Sequence, residues 1–247
     1  MNIDILKNRS IWITGSARGL GLEIAKLFTQ LQATVFFGSR YTKDYYIEKG
    51  VFDQSFLENN SNLHYIQCDV SSHNSIIEAY KRIELISPKL DILINNAGII
   101  EYGSILKITE SQMNKLFQTN FYGSIYAAQA VIPQMKESLS GAIINIISVT
   151  ASKAFPNIGI YSATKSAQAS AFKSIREELR KYGIKIVNLY PGAMASEIWD
   201  EKVLSEKGEL MLSTPNAALA VLKVAELCLI DDLMIEEMTF RPQKGDL

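Results

Sequence analysis

Seven short apolar runs punctuate this chain, and they constrain its fold more than any other feature. They cover residues 10–14, 34–38, 63–70, 90–95, 142–148 and 185–190, with 236–240 as the candidate seventh. Runs of this length, rich in Ile, Val, Leu and Phe, read as strands buried on both faces. Between the first two, Leu20, Ile24, Ala25, Phe28 and Leu31 repeat at helical spacing. Longer helical patterns cover about 111–135 and 161–182. Strands that alternate with helices are joined by crossovers, which predicts a parallel sheet with helices on both faces. No repeat, low-complexity tract or linker divides the 247 residues, so residues 1–247 are expected to form one domain. The segment 41–62 has the weakest periodicity and reads as an irregular or interrupted helix.

Composition excludes several classes of function. The chain is 47% hydrophobic, enough for a sizeable core, and its 25 basic and 26 acidic residues leave a net charge of −1. No basic excess draws it to nucleic acid or an anionic membrane. No apolar run approaches the roughly 18 residues of a membrane span, and residues 1–10 lack the apolar core of a signal peptide. Cys68 and Cys228 are far apart and read as reduced, buried thiols of a cytoplasmic protein. With only His64 and His73 available, no metal site is expected.

Chemistry concentrates at two places. Thr14-Gly15-Ser16-Ala17-Arg18-Gly19-Leu20-Gly21 follows the first strand and opens the first helix. Glycines permit a tight turn and close approach of a pyrophosphate, while the helix N-terminus offers free N–H groups. The spacing is Gly-x-x-x-Gly-x-Gly rather than Gly-x-Gly-x-x-Gly. The second place is Tyr161-Ser162-Ala163-Thr164-Lys165, with Ser148 thirteen residues before the tyrosine. Residues i and i+4 share a helix face. A free phenol has a pKa of about 10, and a neighbouring cation moves it toward the working range. A hydroxyl such as that of Ser148 would hold a carbonyl oxygen beside it. By itself a Tyr–Lys pair at this spacing is usually just a solvated helix face.

Taken in order, six motifs resemble the short-chain dehydrogenase/reductase family across nearly the whole chain. They are the glycine turn at 14–21, Asn95-Asn96-Ala97-Gly98, Asn120, Ser148, Tyr161-x-x-x-Lys165 and Pro191-Gly192. The resemblance implies a three-layer, doubly wound Rossmann fold with a mostly or wholly parallel seven-stranded sheet. It also implies a nicotinamide dinucleotide along the carboxyl edge of that sheet. Gly15, Ser16, Gly19, Leu20 and Gly21 would then lie at the diphosphate, with Asp69 and Val70 at the adenine. Asn96, Ala97 and Gly98 would run beside the cofactor, Pro191 and Gly192 beside the nicotinamide, and Ser196 at its carboxamide. The alternative reading of Asp69 is a helix N-cap or turn aspartate, and Asn95 reads as a tie between strands. NAD-preferring members carry a carboxylate at the end of the second strand; here Ser39 and Arg40 stand there, with Arg18 in the turn. Two guanidinium groups and a hydroxyl suit a 2′-phosphate, so NADP is the expected cofactor.

In the family's mechanism Tyr161 is the general acid/base, Lys165 lowers its pKa and binds the nicotinamide ribose, Ser148 orients the carbonyl, and Asn120 holds a relay water. The bland reading of Asn120 is a polar residue bonding backbone at a helix irregularity, and both roles are compatible. Residues 193–213 set Met194, Ile198, Trp199, Val203, Leu204, Leu210 and Met211 among Glu197, Asp200, Glu201, Lys202, Glu206 and Lys207. This pattern reads as an amphipathic lid of one or two short helices. With Ile100, Phe155 and Ile158 it favours an uncharged, partly apolar ketone, aldehyde or secondary alcohol. The helix faces suggest a homodimer or homotetramer. The competing reading is a dinucleotide sensor or scaffold that has lost turnover, against which the intact Ser148, Tyr161 and Lys165 argue.

Overall fold

In the computed structural model, the structure describes residues 3–197, 199 and 201–245. Ile198 and Asp200 of the expected lid lie outside these residues, as do the chain ends. The strands are β1 (Ser10–Ile13), β2 (Thr34–Phe37), β3 (Leu63–Tyr65), β4 (Ile92–Asn95), β5 (Gly141–Ile146), β6 (Ile184–Pro191), β7 (Met194–Ala195), β8 (Leu212–Ser213) and β9 (Glu237–Phe240). Seven of them form one wholly parallel sheet in the order β3-β2-β1-β4-β5-β6-β9. The helices are α1 (Gly19–Gln30), α2 (Lys43–Glu48), α3 (Gln54–Glu58), α4 (His73–Ile86), α5 (Glu110–Phe117), α6 (Gly123–Glu137), α7 (Gly159–Leu179), α8 (Glu201–Lys207) and α9 (Thr214–Cys228).

Strand residues alternate between two separate cores. Ile11, Ile13, Val35, Phe37, Ile92, Ile94 and Ile144 pack with α1 and α9 on one face. Trp12, Phe36, Leu93, Ile143 and Ile186 pack with α4, α6 and α7 on the other. Strands β1, β4 and β5 at the centre of the sheet are therefore mostly apolar at successive positions, because neither face there meets water. Each fully buried aliphatic side chain contributes about 1.5–3 kcal/mol of burial free energy, which offsets the entropy of ordering the chain. Polar residues interrupt this pattern where Asn95, Asn145 and Asn188 stand in register across β4, β5 and β6. Asn95 Nδ2 donates to Asn145 Oδ1 at 2.9 Å, and Asn145 Nδ2 donates to Asn188 Oδ1 at 3.0 Å. Asn188 Nδ2 donates in turn to the Ala169 carbonyl on α7 at 3.1 Å. The inter-strand tie expected of Asn95 is thus the first rung of a three-residue ladder, which fixes register by leaving amides unpaired in any slipped arrangement.

Several boundaries differ from those read off the sequence. The run 63–70 is a strand only as far as Tyr65. Ile66 and Cys68 still donate to Phe37 and Ser39 at 2.8 and 2.9 Å, but Gly38 leaves β2 to meet the glycine turn, so the ladder ends. The helix expected over 111–135 is α5 and α6 joined by a π-turn (Gln118–Tyr122). Residues 41–62 hold two short helices capped by Thr42 and Asp53, an interrupted helix as expected. The segment 193–213 is bracketed by the parallel pair β7 and β8, with α8 and a 3-10 turn (Gly208–Leu210) between them. Helices α4 and α9 have sequence signals in their caps, Ser72 and Ser213, the latter followed by a proline in the first turn. Among the described residues, no helix is long and apolar enough to cross a membrane.

Candidate active site

Strand order reverses between β1 and β4, and the crevice at the carboxyl ends of such strands is where α/β sheets bind ligands. Here the glycine turn closes onto the end of β4. Gly15 has φ +60°, and a Cβ on it would lie 2.6 Å from Ala97 Cα. A Cβ on Gly21 would lie 2.5 Å from Asn96 Nδ2 and 2.6 Å from Ser16 Cα. Neither position has room for a side chain. Asn96 Nδ2 donates to the carbonyls of Thr14 and Gly15 at 3.0 and 2.9 Å. Thr14 Oγ1 accepts the N–H groups of Asn96 and Ala97, each at 3.2 Å. Thr14, the first residue of the glycine-turn motif, is therefore the joint between turn and strand. Ser16 is fully buried; its Oγ donates to the Ile13 carbonyl at 2.6 Å and accepts the Gly38 N–H at 2.9 Å. Its side chain and its N–H, which donates to the Gly38 carbonyl at 2.8 Å, both secure the turn.

Arg18 is the N-cap of α1, with no side-chain cap on the helix and no acid in its first turn. Helices α2, α3, α4, α5 and α9 do have side-chain caps. Uncapped N–H groups and a positive dipole end, set behind a turn with no side chains at Gly15 and Gly21, fit the diphosphate of a dinucleotide.

The opposite wall comes from β5 and α7. Ser148 opens a 3-10 turn (Val149–Ala151), where its Oγ accepts the Thr150 N–H at 3.2 Å and its hydroxyl hydrogen-bonds the Tyr161 side chain. Lys165, one turn beyond Tyr161 on α7, is 3% exposed. Its Nζ donates to the Ile146 carbonyl at 2.7 Å and to Gln168 Oε1 at 3.2 Å. Removal from water pushes the phenol of Tyr161 up to about 12, and the Ser148 hydrogen bond pulls it the other way. The same desolvation pushes Lys165 down to about 7. Burial rather than the ammonium thus dominates the phenol here, because Lys165 Nζ is turned to a carbonyl and an amide.

Asn120 is fully buried on the π-turn, whose extra residue per turn re-aims side chains within a helix. Its Oδ1 accepts the Ile99 N–H at 2.8 Å, and its Nδ2 donates to the Ile99 carbonyl at 2.9 Å and to Thr164 Oγ1 at 3.0 Å. Thr164 Oγ1 donates to the Tyr161 carbonyl at 2.7 Å. A Cβ on Gly98 would lie 3.6 Å from Asn120 Oδ1 and 3.7 Å from Lys165 Nζ, so the β4 loop, the π-turn and α7 converge there. Thr164 and Gln168 belong to this cluster although the sequence reading passed over both. Their signal was a polar residue on the buried face of an amphipathic helix.

One cleft is lined by Gly15, Arg18, Gly19, Leu20, Gly21, Asn96, Gly98, Ser148, Tyr161, Lys165, Pro191, Gly192 and Ser196. Ser16, Ala97 and Asn120 lie behind its walls. Ser39, Arg40, Asp69 and Val70 stand outside it, around the ends of β2 and β3. Arg40 is exposed with its guanidinium 5.0 Å from the centre of the Tyr41 ring, and its carbonyl accepts from Gln67 Nε2 at 2.9 Å. Asp69 Oδ1 accepts the Ser71 N–H at 3.0 Å and the Ser71 hydroxyl at 2.7 Å, the geometry of a turn aspartate. Val70 is buried against Gly123. The remaining wall is largely apolar, with Ile100, Tyr102, Val149, Phe155, Ile158, Met194 and Trp199. Trp199 Nε1 donates to the Met194 carbonyl at 2.9 Å, and its ring lies 5.8 Å from that of Tyr102.

Known proteins resemble this chain in sequence and in fold. Residues 9–207 match the family model described as short chain dehydrogenase. The chain is 33% identical over 186 residues to farnesol dehydrogenase of Aedes aegypti, covering 73% of this chain and 75% of that protein. It is 30% identical over 195 residues to gluconate 5-dehydrogenase of Gluconobacter oxydans, covering 79% and 75%. Among solved structures, ElxO with NADP bound superposes with a TM-score of 0.83 at 24% identity, covering 94% of this chain and 96% of the other. An alcohol dehydrogenase from Thermococcus sibiricus complexed with 5-hydroxy-NADP gives 0.81 at 22%, covering 96% and 98%. The two structures share the Rossmann fold, and the family match spans the glycine turn, Ser148, Tyr161 and Lys165 together: the chain is a member of the short-chain dehydrogenase/reductase family of oxidoreductases.

Proposed function

We propose that the protein is an NADP-dependent oxidoreductase that interconverts a partly apolar ketone or aldehyde and its alcohol. The observation that carries this reading is the meeting of Ser148, Tyr161 and Lys165 in one cleft with the uncapped start of α1. When bound, the nicotinamide supplies hydride to a carbonyl carbon or takes it back from an alcohol. Tyr161, held protonated by burial, gives its proton to the developing alkoxide and recovers it in the reverse direction. Ser148 shares its hydroxyl between Tyr161 and the substrate oxygen, placing that oxygen beside the phenol. Lys165 binds the nicotinamide ribose and stabilises the phenolate that forms, and Asn120 holds a relay water next to it. The glycines of the turn, with Ser16 and Leu20, lie at the diphosphate of the cofactor, and Asn96, Ala97 and Gly98 run beside it. Asp69 and Val70 flank the adenine, and Ser196 meets the carboxamide.

Cofactor choice rests on Ser39, Arg40 and Arg18, which offer a hydroxyl and two exposed cations where an NAD-preferring site needs a carboxylate. Residues 193–213 act as a lid whose Met194 and Trp199 exclude water from the transfer. The apolar wall selects substrates such as the isoprenoid alcohol named for the mosquito relative, in preference to small acids. We place the protein in the cytoplasm as a homodimer or homotetramer, which light scattering tests. The functional test is a panel of ketones, aldehydes and alcohols followed by NADPH absorbance. Turnover is expected for the native chain, with NADPH preferred, and Tyr161→Phe is expected to lose at least about 100-fold in rate while binding NADPH normally. NADPH binding without turnover across the panel would identify a sensor instead.

A further inference from the structure

Gln168 lies one turn beyond Lys165 on the buried face of α7 and is 1% exposed. A primary amide there is costly unless it is paired. Its Oε1 is paired, accepting from Lys165 Nζ at 3.2 Å. The other acceptor on that nitrogen is the Ile146 carbonyl, a fixed backbone group of β5. Among the described residues, no ion pair links Lys165 to a carboxylate. The neutral Asn120 side chain and the Gly98 backbone converge with the amine at the end of β4, and the neutral Ser148 and Tyr161 line the same cleft. Among the described residues, Arg18 and Glu197 are the charged side chains that share the cleft with it. A buried ammonium held only by dipoles depends on each of them. Desolvation already works against its charged form.

We infer that Gln168 is a positioning residue: its side-chain oxygen fixes Lys165 against β5 and favours the charged form of the amine against the desolvation that opposes it. Ile146 alone leaves the lysine side chain a single anchor, which a freely rotating ammonium satisfies in several rotamers. Gln168 adds the second, and two acceptors at 2.7 and 3.2 Å define a direction. The third N–H of the ammonium is left for a ligand. The inference rests on the reading that Lys165 binds the cofactor and assists Tyr161.

The test measures the NADPH dissociation constant by fluorescence between pH 6 and 9.5 for the native chain, Gln168→Leu and Gln168→Glu. Deprotonation of Lys165 weakens binding, so each curve bends where the amine titrates. Gln168→Leu removes an acceptor of the charged form. Its curve bends at lower pH, giving binding about tenfold weaker than native at pH 8.5 but within about threefold at pH 6. Gln168→Glu supplies a carboxylate, so its curve bends at higher pH than the native one. Curves that coincide, or that move in the same direction for both variants, overturn the inference, since a purely structural role does not reverse sign between Leu and Glu. If Gln168→Leu fails to fold by circular dichroism, Gln168→Glu decides alone, and an unmoved bend refutes. The pH profile of kcat on an active ketone, with Tyr161→Phe as control, separates the two levels. A native chain with no turnover, or an active Tyr161→Phe, sinks the oxidoreductase reading while the binding curves still judge Gln168.

Discussion

Asn120 Nδ2 donates to Thr164 Oγ1 across 3.0 Å, tying the π-turn to α7 one residue before Lys165. Both side chains are fully buried. The link runs on through Thr164 Oγ1 to the Tyr161 carbonyl at 2.7 Å, so the helix that carries the phenol is held from the loop after β4. Asn120→Ala leaves the Ile99 N–H, the Ile99 carbonyl and the Thr164 hydroxyl short of a partner, and is expected to cost about 2–4 kcal/mol. Thr164→Val removes less and is expected to cost about 1–2 kcal/mol. Urea unfolding of both single variants and the double variant checks this. Simple additivity of the two losses would show that the residues are not coupled.

Lys165 should make the unliganded protein more stable as the solution becomes alkaline. Its pKa in the fold is about 7, below the ordinary 10.5. Between those values the unfolded chain binds a proton that the folded chain does not, so stability rises with pH through that window. Below pH 7 the full cost of charging the buried amine is present, and above 10.5 it is absent. Lys165→Met lacks this dependence. The stability difference should therefore shift toward the native chain between pH 7 and 9.5, by at most about 1.4 kcal/mol per pH unit. Denaturation of both proteins at pH 6.5, 8 and 9.5 tests this, and a difference that stays constant contradicts it. Excess NADPH should flatten the dependence by favouring the ammonium.

The sheet was legible in the sequence because burial on both faces leaves an uninterrupted apolar signature, as in Ile11, Trp12 and Ile13. The glycine turn and the Tyr161–Lys165 pair were legible because local spacing alone determines them. Contacts between distant segments were not. Thr14 accepts two N–H groups from 82 and 83 residues away, and nothing in its neighbours announces that. The backbone-bonding irregularity read at Asn120 is present, but its form as a π-turn was hidden because one inserted residue barely changes a helical stripe. The strand pair β7 and β8 was hidden because two residues on each side carry no periodicity. The acidic residue Glu197 was seen only as a polar position of a lid, whereas the fold sets it beside the glycine turn.

Glu197 Oε2 lies 4.0 Å from Arg18 Nε, and both side chains are more than half exposed. Such a pair contributes little to stability. Its position matters more, because a Cβ on Gly19 would stand 4.0 Å from the same carboxylate oxygen. An anion therefore occupies the approach to the start of α1, where a diphosphate is expected. Glu197→Gln should tighten NADPH about two- to fivefold in low salt, with the gain fading as salt screens the repulsion. Its melting temperature should stay within about 2 °C of native. Titrations at low and high ionic strength check the first effect, and weaker binding by the variant would show that Glu197 supports the site.

Cofactor preference can be moved from the end of β2. Ser39 is half-buried there with its carbonyl accepting the Cys68 N–H at 2.9 Å, and Arg40 follows it on the surface. The backbone at this corner is held by side chains at and just beyond the end of β3. Gln67 donates to the Arg40 carbonyl at 2.9 Å, and Tyr65 Oη donates to the Tyr41 carbonyl at 2.7 Å. A substitution of either side chain at 39 or 40 therefore changes chemistry without freeing the loop. Arg40→Ala removes one cation facing a 2′-phosphate and should weaken NADPH about tenfold while leaving NADH within about twofold. Ser39→Asp adds a carboxylate that repels the 2′-phosphate and accepts from a ribose hydroxyl. It should invert the preference, with NADH gaining and NADPH losing about tenfold each. Arg40 also stacks on Tyr41, so Tyr41→Leu should reproduce part of the Arg40→Ala loss by releasing the guanidinium from its ring. Parallel NADH and NADPH titrations of these three variants decide the matter. Equal losses for both cofactors would mean that this corner shapes the adenosine site without reading the phosphate.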